Sequence, residues 1–206
     1  FLVCVSLGFV SAGPNVTLYS LEGYTGATIT IDAFSHNLDI LGFDDVTVGL
    51  CGQGAWMLYE DHDYRYLPTS WTQSWIAPNY ECIELPSTHH KQMSSLRYVG
   101  TGDMYEETIT LYVQHWFGGG EDLFLRDEDD LGPFSNFATS MAITGGSPWT
   151  VYRNAFWGGT AICLEPTQQP NSDVFFGAWD QTQIGMMDNT ISSIRKGCYS
   201  DIRLQY

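Results

Sequence analysis

Short runs in which apolar and polar residues alternate recur along the chain, as in Ala27-Thr28-Ile29-Thr30-Ile31 and Glu121-Asp122-Leu123-Phe124-Leu125. A period of two places every second side chain on one face of a strand, so these runs predict half-buried β-strands. No long helical periodicity competes with them. With 21 glycines and 8 prolines punctuating the runs, the pattern predicts an all-β protein made of sandwiches with Greek-key connections.

Self-similarity then fixes the organisation. Val16-Thr17-Leu18-Tyr19, Trp56-Met57-Leu58-Tyr59, Ile109-Thr110-Leu111-Tyr112 and Trp149-Thr150-Val151-Tyr152 are four β-prone runs ending in Tyr, and those tyrosines lie 40, 53 and 40 residues apart. Adding 93 carries Tyr19 onto Tyr112, Trp56 onto Trp149, Tyr59 onto Tyr152, Tyr24 onto Phe117 and Gly26 onto Gly119, an internal duplication of a paired unit. After each tyrosine come four residues, a second aromatic and then a glycine: Tyr24 and Gly26, Phe117 and Gly119, Trp157 and Gly159. In the second unit Tyr64 is followed by Tyr66, and the glycine is lost. The pattern predicts a folded β-hairpin whose glycine adopts a backbone angle closed to other residues, with the aromatics packed over the turn.

An aromatic, four residues, an aromatic, one residue and a glycine, opening a unit of about 40 residues, resembles the βγ-crystallin Greek key. The unit ends Leu41-Gly42-Phe43-Asp44-Asp45, Met93-Ser94-Ser95-Leu96-Arg97 and Asp188-Asn189-Thr190-Ile191-Ser192-Ser193-Ile194 also fit. The resemblance implies two double Greek-key β-sandwich domains, residues 13–99 and 107–206, joined by a linker over 100–106. Around Leu67 to Tyr80 the second unit carries about a dozen extra residues, with Trp71 and Trp75, which are expected to form a loop, either a candidate contact surface or a loop packed over its own hairpin.

Charge and cysteine narrow the setting. With 24 acids against 8 bases the formal net charge is −16, which opposes nucleic-acid binding and attracts cations. Phe1 to Val10 are nearly all apolar and lead into Ser11 and Ala12, so residues 1–12 are expected to be the remnant of a secretory signal peptide, with export of a protein starting at Gly13. No other segment approaches the roughly 18 apolar residues of a transmembrane helix. Asn15-Val16-Thr17 is an N-glycosylation sequon at Asn15. Beyond Ala12 the cysteines are Cys51, Cys82, Cys163 and Cys198, and an even count in an exported protein favours disulfides. Pairing Cys51 with Cys82 and Cys163 with Cys198 keeps each bridge inside one expected domain, while two other pairings remain open.

The calcium motif of the family reads Asn/Asp, Asn/Asp, any, any, Ser/Thr, Ser. Asp188-Asn189-Thr190-Ile191-Ser192-Ser193 fits every position, and Ser135-Asn136-Phe137-Ala138-Thr139-Ser140 departs only at its first. Calcium prefers hard oxygen ligands, and such loops supply amide, backbone and hydroxyl oxygens within six residues. The resemblance implies that each site takes its acid or amide from one loop and its hydroxyl from the other. Asn136, Phe137 and Thr139 would then act with Asn189, Thr190 and Ser192 to give two calcium sites in the second domain. In the first domain Val48 replaces a hydroxyl and Lys91 an amide, so at most one site survives, from Asp45 with Ser94.

The run Asp127-Glu128-Asp129-Asp130 fails as an EF-hand at Leu131 and Ala138 and reads as a solvated loop. No HExxH, GxSxG or phosphate-binding loop occurs, so the chain is not expected to be an enzyme. Two function classes follow. The first is an exported structural protein that binds calcium. The second is an extracellular binding module that recognises a glycan or another secreted protein, whether lectin-like, membrane-targeting for a pore-forming partner, or protease-inhibiting.

Overall fold

The structure is a computed structural model and describes residues 13–206. The expected signal-peptide remnant at 1–12 lies outside the described residues.

In the N-terminal half, strands β1 (Asn15–Leu21), β2 (Thr25–Ile31), β3 (Gly49–Tyr59), β4 (Thr72–Glu84) and β5 (Ser95–Tyr98) form one hydrogen-bonded sheet that serves as both layers. Its first layer pairs β2 with β1, β1 with residues 49–53 of β3, and 49–52 with 81–84 of β4. The second pairs 54–59 of β3 with 72–77 of β4 and 56–59 with β5, whose Leu96 bridges Ser35. Each unit thus lends its third strand to the other's layer, the interlocked form of the Greek key. The crossover falls at a register shift between Gly52 and Gly54. There a Cβ on Gly52 would stand 2.1 Å from the Asn15 carbonyl, so no other residue lets β1 cross so closely.

The C-terminal half repeats the plan as two separate sheets. Its strands are β6 (Thr108–Tyr112), β7 (Glu121–Phe124), β8 (Ser140–Thr144), β9 (Trp149–Asn154), β10 (Gly158–Glu165), β11 (Thr167–Gln168), β12 (Phe175–Trp179), β13 (Ser193–Lys196) and β14 (Arg203–Gln205). They are ordered β11-β12-β8-β6-β7 and β13-β9-β10-β14, with Glu128 bridging Ile194. Gly145-Gly146-Ser147-Pro148 separates β8 from β9, and Pro148 has no N–H to continue a ladder, so the strand breaks where β3 runs through.

Alternation puts Val16, Leu18, Trp56, Leu58 and Trp75 in the first core and Ile109, Leu111, Trp149, Val151 and Trp179 in the second. The opposite faces are apolar too: Ala55, Met57, Tyr59 and Val99 of the N-terminal half meet Tyr112, Phe117, Ala142 and Phe176 of the C-terminal half in a third buried cluster. No helix among the described residues is long and apolar enough to cross a membrane.

The expected contact loop at 67–80 is corrected. From Thr72 onward the segment is β4, in which Trp75 is buried in the core while Ile76 faces the contact between the halves. Trp71 packs on the same core, stacks on His89 at 4.3 Å and donates to Gln92 Oε1 at 3.2 Å. The alternation through Ser74-Trp75-Ile76-Ala77 is a strand signal that makes these residues structural.

Both disulfides, Cys51–Cys82 and Cys163–Cys198, are formed. Cys51 and Cys82 are directly opposed on β3 and β4.

Candidate metal centre

The site begins with the folded hairpins. In all four, two successive residues are left-handed: Gly23-Tyr24, Asp63-Tyr64, Trp116-Phe117 and Phe156-Trp157, with φ between 50° and 67°. For residues with a Cβ this costs roughly 1–2 kcal/mol each. A serine offsets the cost in three units: Tyr64 N donates to Ser95 Oγ, Phe117 N to Ser140 Oγ and Trp157 N to Ser193 Oγ, at 3.1, 2.9 and 3.1 Å. The same hydroxyls donate to the carbonyls of Asp61, Gln114 and Asn154. The first unit has Gly49 at that place, and the Tyr24 ring lies 3.4 Å from where its Cβ would be. Where the motif ends in serine, at Ser95, Ser140 and Ser193, that serine is therefore a clip for the hairpin.

The preceding hydroxyl points elsewhere. In the C-terminal half, Asn136 N donates to Ile191 O at 2.8 Å and Asn189 N to Ala138 O at 3.0 Å, which lays the two loops against each other. Both asparagines are left-handed, at φ 64° and 50°, a conformation that Asn tolerates. Their side chains meet the other loop's hydroxyl: Ser192 Oγ donates to Asn136 Oδ1 at 3.3 Å, and Thr139 Oγ1 to Asn189 Oδ1 at 3.2 Å. Thr139 Oγ1 is also 3.4 Å from the Val113 carbonyl. Ser192 and Thr139 are buried, whereas the Phe137 ring is exposed, leaving its carbonyl as its contribution to the loop. Thr190 follows Asn189 at the matching place.

The N-terminal half keeps the frame and loses the oxygens. Asp45, left-handed at φ 53°, donates from N to Met93 O at 3.2 Å, and Lys91, at φ 58°, to Thr47 O at 2.8 Å. Asp45 and Ser94 thus occupy the positions of Asn136 and Ser192, while Lys91 and Val48 occupy those of Asn189 and Thr139. Val48 is buried and carries no oxygen. Partial burial and the neighbouring Asp44 carboxylate push the Asp45 carboxyl up, His62 opposes them, and Glu60 adds to the rise. His62 Nε2 itself lies 3.1 Å from Asp44.

In the C-terminal half these oxygens suit a hard cation. Calcium takes 6–8 oxygens at about 2.3–2.6 Å, and each pair supplies an amide and a hydroxyl oxygen beside loop carbonyls, with water completing the shell. With neutral amides as the principal side-chain donors, affinity should be modest. The Thr139–Asn189 pair opens on a cleft of about 330 Å³ that Tyr66 and Pro68 of the N-terminal half also line. The Cys163–Glu165–Cys198 grouping offers a metal little, because both sulfurs are in a disulfide.

Sequence reasoning missed the residue that joins the halves. Arg97, 1% exposed, donates to the Phe117 carbonyl at 2.7 Å, the Gly119 carbonyl at 2.9 Å and Tyr59 Oη at 3.0 Å, and pairs with Glu121 at 3.2 Å. It lies over the rings of Tyr64 and Tyr112 at 4.5 and 4.8 Å. The signal was present: with only 8 basic residues, Ser95-Leu96-Arg97 and Ser193-Ile194-Arg195 place Arg twice at the same step.

No family model matches the chain, and no curated protein matches it. Among solved structures, geodin, a βγ-crystallin from Geodia cydonium, is similar over 90% of this chain and 99% of its own, with a TM-score of 0.67 at 18% identity. An archaeal βγ-crystallin (24% identity, 44% of this chain and 96% of its own, TM-score 0.36) and one from Ciona intestinalis (22%, 43% and 98%, 0.36) match single halves. The arrangement of the chain is the βγ-crystallin fold.

Proposed function

We propose that the protein is an exported, non-enzymatic structural protein that binds two calcium ions in its C-terminal half. The observation that supports this best is the reciprocal pairing of Asn136 with Ser192 and of Asn189 with Thr139. Turn-capping alone would use the serine that clips the hairpin, and it does not account for a second hydroxyl aimed across at an amide oxygen. The N-terminal half holds at most one weaker site, at Asp45 and Ser94, where the metal would have to tolerate Lys91 nearby. The acidic surface, net −16, raises the local cation concentration and keeps concentrated protein dispersed. Export rests on the apolar leader, the Asn15 sequon and the two disulfides, which persist in oxidising compartments.

Calorimetric titration of the chelator-treated protein with calcium tests the binding. Two ions per chain are expected, with binding retained when Asp45 is replaced by Ala. Absence of calcium heat, or loss of both ions in Asp45→Ala, would contradict the assignment.

A further inference from the structure

The two halves dock through different surfaces. Met57 and Tyr59 of β3, Arg97 of β5 and Tyr64 of the hairpin between β3 and β4 form one face, and Tyr112 and Phe117 of the other half lie on it. Strand register finds the same face again in the C-terminal half: Tyr59 opposes Ser95 and Met57 opposes Arg97, as Tyr152 opposes Ser193 and Thr150 opposes Arg195. Tyr152, Trp157 and Arg195 thus repeat Tyr59, Tyr64 and Arg97.

What lies on this second face is the segment that follows β13. After β5 the chain continues into the next sandwich, whereas after β13 it turns back over β9. Thr150 Oγ1 donates to the Gly197 carbonyl at 2.7 Å and accepts from Tyr199 N at 2.9 Å. Ser200 Oγ donates to the Ala161 carbonyl, Cys198 is bonded to Cys163, and β14 runs parallel to β10. Arg195 sits 4.1 Å over Tyr199 and 5.0 Å over Trp157, as Arg97 sits over Tyr112 and Tyr64. Tyr199 fills the place that a tyrosine of the docked sandwich fills in the other half.

The complementary surface is also duplicated. Tyr19 and Tyr24 stand in the first unit where Tyr112 and Phe117 stand in the third, yet they are half-exposed, and exposed Glu84 shares the Tyr19 row through Gly49, its carboxylate accepting from Gly23 N at 2.7 Å. Thr28 opposes Tyr19 as Glu121 opposes Tyr112. We infer that residues 197–206 are an intramolecular cap on a second docking face, and that the uncapped face takes a second copy of this chain through its Tyr19–Tyr24 surface. Charge at the contact favours this occupant, since Arg195 would meet the acid at Glu84. A contact between two different surfaces need not close on itself, so such docking builds head-to-tail series, and a cap ends them.

The test is a chain ending at Lys196 with Cys163→Ser, followed by sedimentation velocity over a range of concentrations. Near-UV circular dichroism reports whether the C-terminal core is intact. The capped protein should show no concentration-dependent association of this kind, whereas the truncated one should form dimers and longer species. Thr28→Glu, which supplies the acid that Arg97 finds in Glu121, should tighten association about tenfold. Thr28→Arg or Arg195→Glu should abolish it. A folded truncated chain that stays monomeric overturns the inference, as does association insensitive to both Thr28 and Arg195 substitutions. If truncation unfolds the core, the full chain with Cys163→Ser, Cys198→Ser and Tyr199→Gly decides in its place: association that depends on Arg195 supports the cap, and a folded monomer refutes it.

Discussion

Replacing Arg97 by Met keeps the stem and removes the guanidinium that joins the two sandwiches. The loss comprises bonds of 2.7 and 2.9 Å to the Phe117 and Gly119 carbonyls, one of 3.0 Å to Tyr59, and the 3.2 Å pair with Glu121, whose side chain is only 16% exposed. The Phe117 carbonyl keeps a bond from Tyr59 Oη, but the Gly119 carbonyl and the carboxylate each lose the Arg97 contact. Removing one member of a buried pair costs about 3–5 kcal/mol, and methionine leaves little cavity to add to it. Domains of this size have roughly 5–15 kcal/mol of stability, so the change is large, and it falls on the contact between halves. Guanidinium denaturation followed by tryptophan fluorescence and far-UV circular dichroism should show the transition moving down and separating into two. A loss under about 1 kcal/mol with the transition shape unchanged would refute the account of Arg97 as the joint.

Three further predictions concern the same cluster and the hairpins. Burial pushes the Glu121 carboxyl up even though Arg97 opposes the shift, so its contribution to stability is full below the ordinary value of 4.5 and is lost as pH rises through the higher folded value. Glu121→Gln should therefore abolish that fall between acid and neutral pH, read by denaturation at several pH values. Burial pushes Tyr64 up to about 12 against the Arg97 charge and holds Tyr59 and Tyr112 higher than free phenols, so their contribution is present below 10.0 and is lost as pH rises through the folded values. Absorbance titration should show these tyrosines ionising late, and together with unfolding. Ser140→Ala should cost about 2 kcal/mol by freeing the Phe117 N–H and the Gln114 carbonyl, yet leave calcium affinity nearly unchanged, because Ser140 clips the hairpin while Thr139 faces Asn189.

Much of this was legible in the sequence because the repeat speaks four times. The aromatic spacing located all four hairpins, and alternation located the strands that pack the cores. The loop pairing of Asn136 with Ser192 and Asn189 with Thr139 is what the βγ-crystallin resemblance implies, and the repeat alone does not dictate it. Tyr24, Tyr64, Phe117 and Trp157 were less legible: each takes a left-handed angle that the pattern assigned to the glycine alone, and in the last three a long-range serine bond holds it. Trp71 and Trp75 were placed in a loop because the lost glycine of the second unit hid where its hairpin returned to strand. Arg97 could not be placed, since its partners lie across the contact between the halves, 20 and 22 residues along the chain.

The central claim is that calcium is held between loops, by the amide of one and the hydroxyl of the other. A double-mutant cycle on calcium affinity tests it most directly, with Asn136→Ala, Ser192→Ala and Thr139→Ala singly and in pairs, measured by calorimetry. Asn136→Ala and Ser192→Ala should be non-additive by about 0.5–3 kcal/mol, because each disables the same site, whereas Ser192→Ala and Thr139→Ala should add, because they belong to different ones. Additivity of Asn136 with Ser192, or coupling of Ser192 with Thr139 in their place, would contradict the pairing.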